Sequence, residues 1–120
     1  MPRLALIVLV AGLAPACAAR MAPGPPAAAN GGVRFVFERP AAQTVAVAGT
    51  FNEWAVASHP LVRDRKSGLW TAVIAVPPGD HLFMYVVDGS QWVSPPHAAD
   101  YADDGFGSRN GVLSVRPVER

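Results

Sequence analysis

Residues 33–118 are dominated by runs of period-2 alternation, and turn signals close most of them. Val33, Phe35 and Phe37 alternate with Arg34, Val36 and Glu38, and Val45 and Val47 alternate with Thr44, Ala46 and Ala48. Trp70, Ala72, Ile74 and Val76 fall on one face of a third run, with Leu69, Thr71, Val73 and Ala75 on the other. A strand sends successive side chains to opposite faces, so these runs read as strands. His81 to Val87 is apolar almost throughout, the pattern of a strand covered on both sides. Val112 to Val118 closes the region, with Val112, Ser114 and Arg116 alternating against Leu113 and Val115. Arg39-Pro40, Ser67-Gly68, Pro77-Pro78-Gly79-Asp80 and Asp88-Gly89 supply the turns. No segment of this region sustains the 3.6-residue period of an amphipathic helix. The expected fold class is all-β, a sandwich of about seven short antiparallel strands. Asp100 to Asn110 is polar and glycine-rich and is expected as a loop, with Phe106 isolated between Gly105 and Gly107.

The N-terminus has a different character. Arg3 precedes a ten-residue apolar run, Leu4 to Leu13, and small residues follow it as far as Ala19. This is the three-part pattern of an export signal over residues 1–17, and the run is short of the about 20 residues needed to span a bilayer. Cys17 is the only cysteine, so no intramolecular disulfide can form. Its place at the end of the apolar run resembles a bacterial lipobox, in which lipid is carried on the cysteine thiol. Ordinary cleavage at Ala14-Pro15-Ala16 or Ala16-Cys17-Ala18 is the competing expectation. The chain is therefore expected to be exported to the cell envelope and held at the membrane through a lipid on Cys17, or otherwise to be periplasmic or secreted. Residues 18–32 are rich in Ala, Pro and Gly and are expected as a tether ahead of the folded module, residues 33–118.

Charge and motifs exclude several function classes. From Val33 to the C-terminus there are eight Lys and Arg against nine Asp and Glu, a net charge of −1. That leaves no basic patch for nucleic acid. The region holds no G-x-S-x-G elbow, P-loop or H-E-x-x-H sequence. His59, His81 and His97 are too scattered in sequence for a metal site. Asp103 and Asp104 are adjacent in one loop and cannot flank a scissile glycosidic bond, which requires carboxylates about 5–9.5 Å apart across a cleft. The expectation is a protein that is not an enzyme and carries no cofactor and no metal.

The aromatic residues point elsewhere. Val45 to Gly49 runs into a turn, Thr50-Phe51-Asn52-Glu53, that ends by presenting Trp54. Val86-Val87-Asp88-Gly89-Ser90-Gln91 likewise ends in Trp92. Asn52 can bond to local backbone and shape the first turn. Trp70 lies within a strand, on the face of Ile74, and is expected to pack in the core. Two tryptophans at turns suggest a shared face for stacking, since indole covers the C–H face of a sugar ring while the hydroxyls stay hydrated or bonded. Asn110 offers an amide that both donates and accepts, which suits vicinal hydroxyls.

The order Ala48-Gly49-Thr50-Phe51-Asn52-Glu53-Trp54, Gly68-Leu69-Trp70, Pro78-Gly79, Val87-Asp88-Gly89, Trp92 and Gly105-Phe106-Gly107-Ser108-Arg109-Asn110 resembles the glycogen-binding domain of AMP-activated protein kinase β subunits. That domain belongs with the family 48 carbohydrate-binding modules and the early-set domains of isoamylase-type enzymes. The resemblance runs from about Val33 to Val118. It implies an immunoglobulin-like, early-set sandwich that binds α-linked glucan, such as a glycogen- or starch-like oligosaccharide, without hydrolysing it. It implies that Trp54 and Trp92 stack on glucose units, that Phe106 takes the place of an aliphatic residue lying against the curved glucan, and that Ser108 and Asn110 bond sugar hydroxyls. Met84 stands where the kinase domain has a sugar-contacting lysine; a methionine can touch a ring but has no hydrogen to donate. Arg109 either takes over that contact or is a solvated loop residue. The alternative function is a structural or adaptor domain that uses the same sandwich to dock a partner protein and has no affinity for sugar.

Overall fold

A computed structural model describes residues 21–117. The expected signal, its Cys17 and the first residues of the expected tether lie outside the described residues, as does Val118. Within them the chain forms nine strands: β1 (Gly24–Ala29), β2 (Gly32–Phe37), β3 (Val45–Gly49), β4 (Val62–Arg63), β5 (Trp70–Ile74), β6 (Gly79–Val87), β7 (Gln91–Val93), β8 (Asp100–Asp103) and β9 (Arg109–Val115). One sheet has the order β1-β2-β5-β4; the other has the order β3-β6-β9-β8, with β7 also paired to β6. Every pairing is antiparallel. The two sheets face each other as the expected immunoglobulin-like sandwich.

The alternation seen in sequence sets the core. Val33, Phe35 and Phe37 of β2, Trp70 and Ile74 of β5, Val45 and Val47 of β3, and Phe83, Tyr85 and Val87 of β6 form one buried cluster. Trp70 packs as expected, and its indole N–H donates to the Arg39 carbonyl at 3.1 Å. Aromatic contacts join the sheets: Phe37 stacks on Tyr85 with centroids 4.2 Å apart, and Phe35 meets Phe83 edge-on at 5.5 Å. Burying each such ring contributes about 1.5–3 kcal/mol. Burial also pushes the Tyr85 phenol far up, so it stays neutral.

Two segments differ from the sequence expectation. Part of the stretch expected as a tether, Gly24–Ala29, is an edge strand paired to β2. Its two prolines hide it from a period-2 reading because proline cannot donate to a ladder. Here they sit at a sheet edge, where the register shifts between Gly24 and Ala27. The dipeptide Asn30-Gly31 that joins β1 to β2 is the sequence signal for this hairpin. The segment expected as a loop from Asp100 to Asn110 is largely strand as well, since β8 pairs Asp100–Asp103 with Val112–Arg109 of β9. Only Asp104–Ser108 remains a loop.

The turns are built by aspartates. Asp88 and Gly89 both have positive φ, the geometry that turns β6 tightly back into β7. The Asp88 carboxylate accepts from the Gln43 N–H at 2.7 Å and the Thr44 N–H at 3.1 Å. The Thr44 and then the Gln43 hydrogen bonds, helped by the charge of Arg39, hold this carboxyl below its ordinary range. Asp64 is lowered too, chiefly by the hydroxyl and then the backbone N–H of Ser67.

Candidate functional site

The outer face of the second sheet is where the turn aromatics meet. Phe83, Tyr85 and Val87 point into the core, so Met84 and Val86 point outward. Trp92 is paired with Val86, and Val86 with Ala46, which places Trp92 on that outer face. Trp54 reaches the same place from the turn after β3. The two indole centroids lie 6.4 Å apart with their planes tilted by 49°. Trp92 is 43% exposed, and Trp54 is half-buried.

The turn that delivers Trp54 is held by one side chain. Glu53 and Trp54 both adopt left-handed backbone, at φ 57° and 59°. Each such non-glycine residue costs about 1–2 kcal/mol. Asn52 offsets this strain locally. Its Oδ1 accepts from the Gly49 N–H at 2.9 Å, its Nδ2 donates to the Val47 carbonyl at 3.0 Å, and Nδ2 also bonds His59 Nδ1 at 2.8 Å. The Trp54 N–H closes the turn onto the Gly49 carbonyl at 2.9 Å. Phe51 packs between the His59 and His81 rings, with centroids 6.0 and 5.8 Å away, and contacts Phe35 of the core. The chain then returns along β3: the Val47 N–H donates to the His59 carbonyl, and the Leu61 N–H to that of Val45. This return covers the free edge of β3 and fixes Trp54 over the sheet.

The remaining expected site residues are spread over this face and its end. Met84 and Asn110 alternate with the core residues Phe83 and Gly111, so both point to the side of Trp92. They offer little surface, at 7% and 8% exposure. Phe106 is 92% exposed and does not tuck beneath its loop. Ser108 is exposed in the same loop. Asp104 shapes that loop by accepting from the Phe106 N–H at 2.7 Å and the Ser108 N–H at 3.1 Å, while Asp103 accepts from the Gly105 N–H at 2.9 Å. These two acids are therefore turn builders. Arg109 does not share the face of Met84. Its guanidinium lies over the Tyr101 ring, 4.5 Å from the centroid, and its carbonyl accepts from the Ser94 hydroxyl. The sequence reading missed His59, the third partner of Asn52; nothing in its spacing marks it, because the contact is made across a turn.

Residues 32–120 match the sequence model of the family described as the glycogen recognition site of AMP-activated protein kinase. A 70-residue stretch is 37% identical to the 1,4-alpha-glucan branching enzyme of Burkholderia vietnamiensis, covering 58% of this chain and 9% of that enzyme. A 56-residue stretch is 39% identical to the 1,4-alpha-glucan branching enzyme of Nitrosospira multiformis, covering 47% of this chain and 8% of the enzyme. The branching enzyme of Burkholderia cenocepacia is 35% identical over 69 residues, 58% of this chain and 9% of that protein. The matched stretch is thus less than a tenth of the length of any of these enzymes.

Proposed function

The chain belongs to the family of the glycogen recognition site of AMP-activated protein kinase, and from that premise we propose that it is a non-catalytic module that holds α-linked glucan by stacking on Trp54 and Trp92. The observation that carries this reading is the contact of the two indoles, 6.4 Å apart and tilted by 49°, on one face of the second sheet. A bent pair of aromatic planes suits a chain that curves, as α-1,4-linked glucose does, better than a flat one. Phe106 extends the apolar contact, and Ser108 and Asn110 supply polar groups for hydroxyls. Met84, little exposed on the same face, offers a thioether to a ring but no hydrogen to donate. The names of the branching enzymes, which act on 1,4-alpha-glucan, support the same ligand class. Titration of the full chain with maltoheptaose tests the reading: Trp92→Ala is expected to weaken binding at least about tenfold while the chain stays folded, with a stability loss of about 1–2 kcal/mol for a half-buried ring. Unchanged affinity in that variant contradicts stacking.

Export and anchoring form a second part of the proposal, supported by the apolar run and the placement of Cys17. Two or more acyl chains on one cysteine hold a protein stably at a membrane, at about 0.8 kcal/mol per buried CH₂. Mass spectrometry of the mature N-terminus is expected to find a lipid-modified Cys17; a free thiol or a start beyond it contradicts anchoring. The adaptor reading has one observation in its favour. Val62 and Val73 are exposed on the outer face of the first sheet, away from the tryptophans. A protein partner docked there would leave sugar binding intact, whereas an adaptor with no sugar affinity would fail the maltoheptaose titration.

A further inference from the structure

We propose that His59 is a positioning residue for the Trp54 platform, and that the platform is held best while its imidazole is neutral. The effect on sugar rests on the glucan reading; the geometry around His59 does not. The Asn52 amide cannot be flipped, because one of its backbone partners is an N–H and the other a carbonyl: Gly49 donates to Oδ1, and Val47 accepts from Nδ2. The second hydrogen on Nδ2 therefore points at His59 Nδ1, 2.8 Å away. A ring nitrogen that accepts an N–H must carry its lone pair, so the proton of His59 sits on Nε2. Adding a second proton brings two donors face to face at that distance. Asn52 is tied by its two backbone bonds, so the His59 ring must leave or the turn must shift. Either movement takes a bond from Asn52 and a ring from the flank of Phe51. Those contacts hold Glu53 and Trp54 in left-handed backbone.

His81, on the other flank of Phe51, is built differently. Its Nε2 donates to the Pro77 carbonyl at 2.8 Å, and its Nδ1 bonds the Thr50 hydroxyl at 3.0 Å. A hydroxyl donates or accepts by rotating, so Thr50 can accept from a protonated His81 while also accepting from the Leu82 N–H at 3.2 Å. His81 keeps all its bonds in either state, and His59 does not. The other charged groups on the surrounding elements are Glu53 on the turn, Asp80 on β6 and Arg63 on β4. Asp80 accepts from the Ser114 hydroxyl, and Arg63 is turned toward Trp70. The strand β3 carries none.

The test compares the full chain with its His59→Gln variant from about pH 7.5 to about 5.5, the range in which histidines ordinarily titrate. Glutamine can accept from Asn52 and takes up no proton. Without sugar, the Trp54 indole N–H resonance is expected to shift with the His59 ring signals in the wild type, and to stay fixed in His59→Gln. With maltoheptaose as probe, wild-type affinity is expected to fall about two- to tenfold toward low pH, the effect of one hydrogen bond. His59→Gln should keep its neutral-pH affinity throughout, and His81→Gln should keep the wild-type fall. A Trp54 resonance that ignores the His59 titration, or a fall in affinity that persists in His59→Gln, overturns the role of His59. Absence of maltoheptaose binding at pH 7.5 overturns the glucan reading instead, and the ligand-free spectra still decide whether His59 positions Trp54.

Discussion

Three hydrogen bonds converge on the Asn52 amide, and the position of Trp54 depends on them. The Gly49 N–H is buried with its strand end and finds its acceptor only in this side chain. Asn52→Ala removes that acceptor and both donors at once. A part-buried donor left without a partner costs about 1–3 kcal/mol, so urea denaturation is expected to show a loss of that size, together with weaker maltoheptaose binding. A variant as stable as wild type would mean that the turn holds its shape without Asn52. The side chain was legible from sequence as a turn former, because asparagine bonds local backbone, but its partner across the turn, His59, was not. Met84 and Asn110 show the same limit. Met84 falls in a run that reads as covered on both sides and Asn110 in a segment expected as a loop, so only the pairing of β6 with β9 puts both on the outer face, where they retain little surface.

At the scale of strands and turns, the sequence spoke most clearly where side chains alternate in size or polarity between the two faces. β2, β3 and β5 read directly from alternation, and the Asp88-Gly89 turn placed Trp92 just beyond a tight hairpin. β1 was hidden by Pro25 and Pro26, and β8 by its acidic composition, since an edge strand with one solvated face needs little hydrophobicity. β4 is two residues long and has no pattern to read. Strand β9 is anchored where Gly111 faces inward opposite Phe83. A methyl group there would meet Pro95 Cγ at 2.5 Å and Phe83 Cε1 at 2.8 Å. Gly111→Ala is therefore expected to destabilise by about 1–3 kcal/mol through overpacking. It should also displace the flanking Asn110 and weaken sugar binding, because β9 must move as a unit; a thermal melt matching that of the wild type would contradict the tight approach seen at this position.

For the whole molecule, two sheets clamp an aromatic core between them and leave the tryptophan face to one side. Stability of this assembly carries a mark of acid pH. The Asp88 carboxyl is held below its ordinary range by the Thr44 and Gln43 N–H groups and by Arg39. A lowered carboxyl contributes stability above the ordinary carboxylate value of about 3.9, and the contribution disappears as pH falls through its folded-state value. Melting temperatures of Asp88→Asn are expected to fall less steeply with acidification below about pH 4 than those of the wild type; parallel curves would show that Asp88 does not tie the β6–β7 turn to the loop before β3. Above all, the proposal of glucan binding draws on the fold, the meeting of two turn-borne indoles and the family relationship. Native affinity electrophoresis of the full chain through gels containing glycogen, amylose or hydroxyethylcellulose puts that to the test. Retardation by glycogen and amylose alone, abolished in the Trp54→Ala/Trp92→Ala double variant, is the expected result. Equal mobility in all the gels, or retardation that survives loss of both tryptophans, would contradict it.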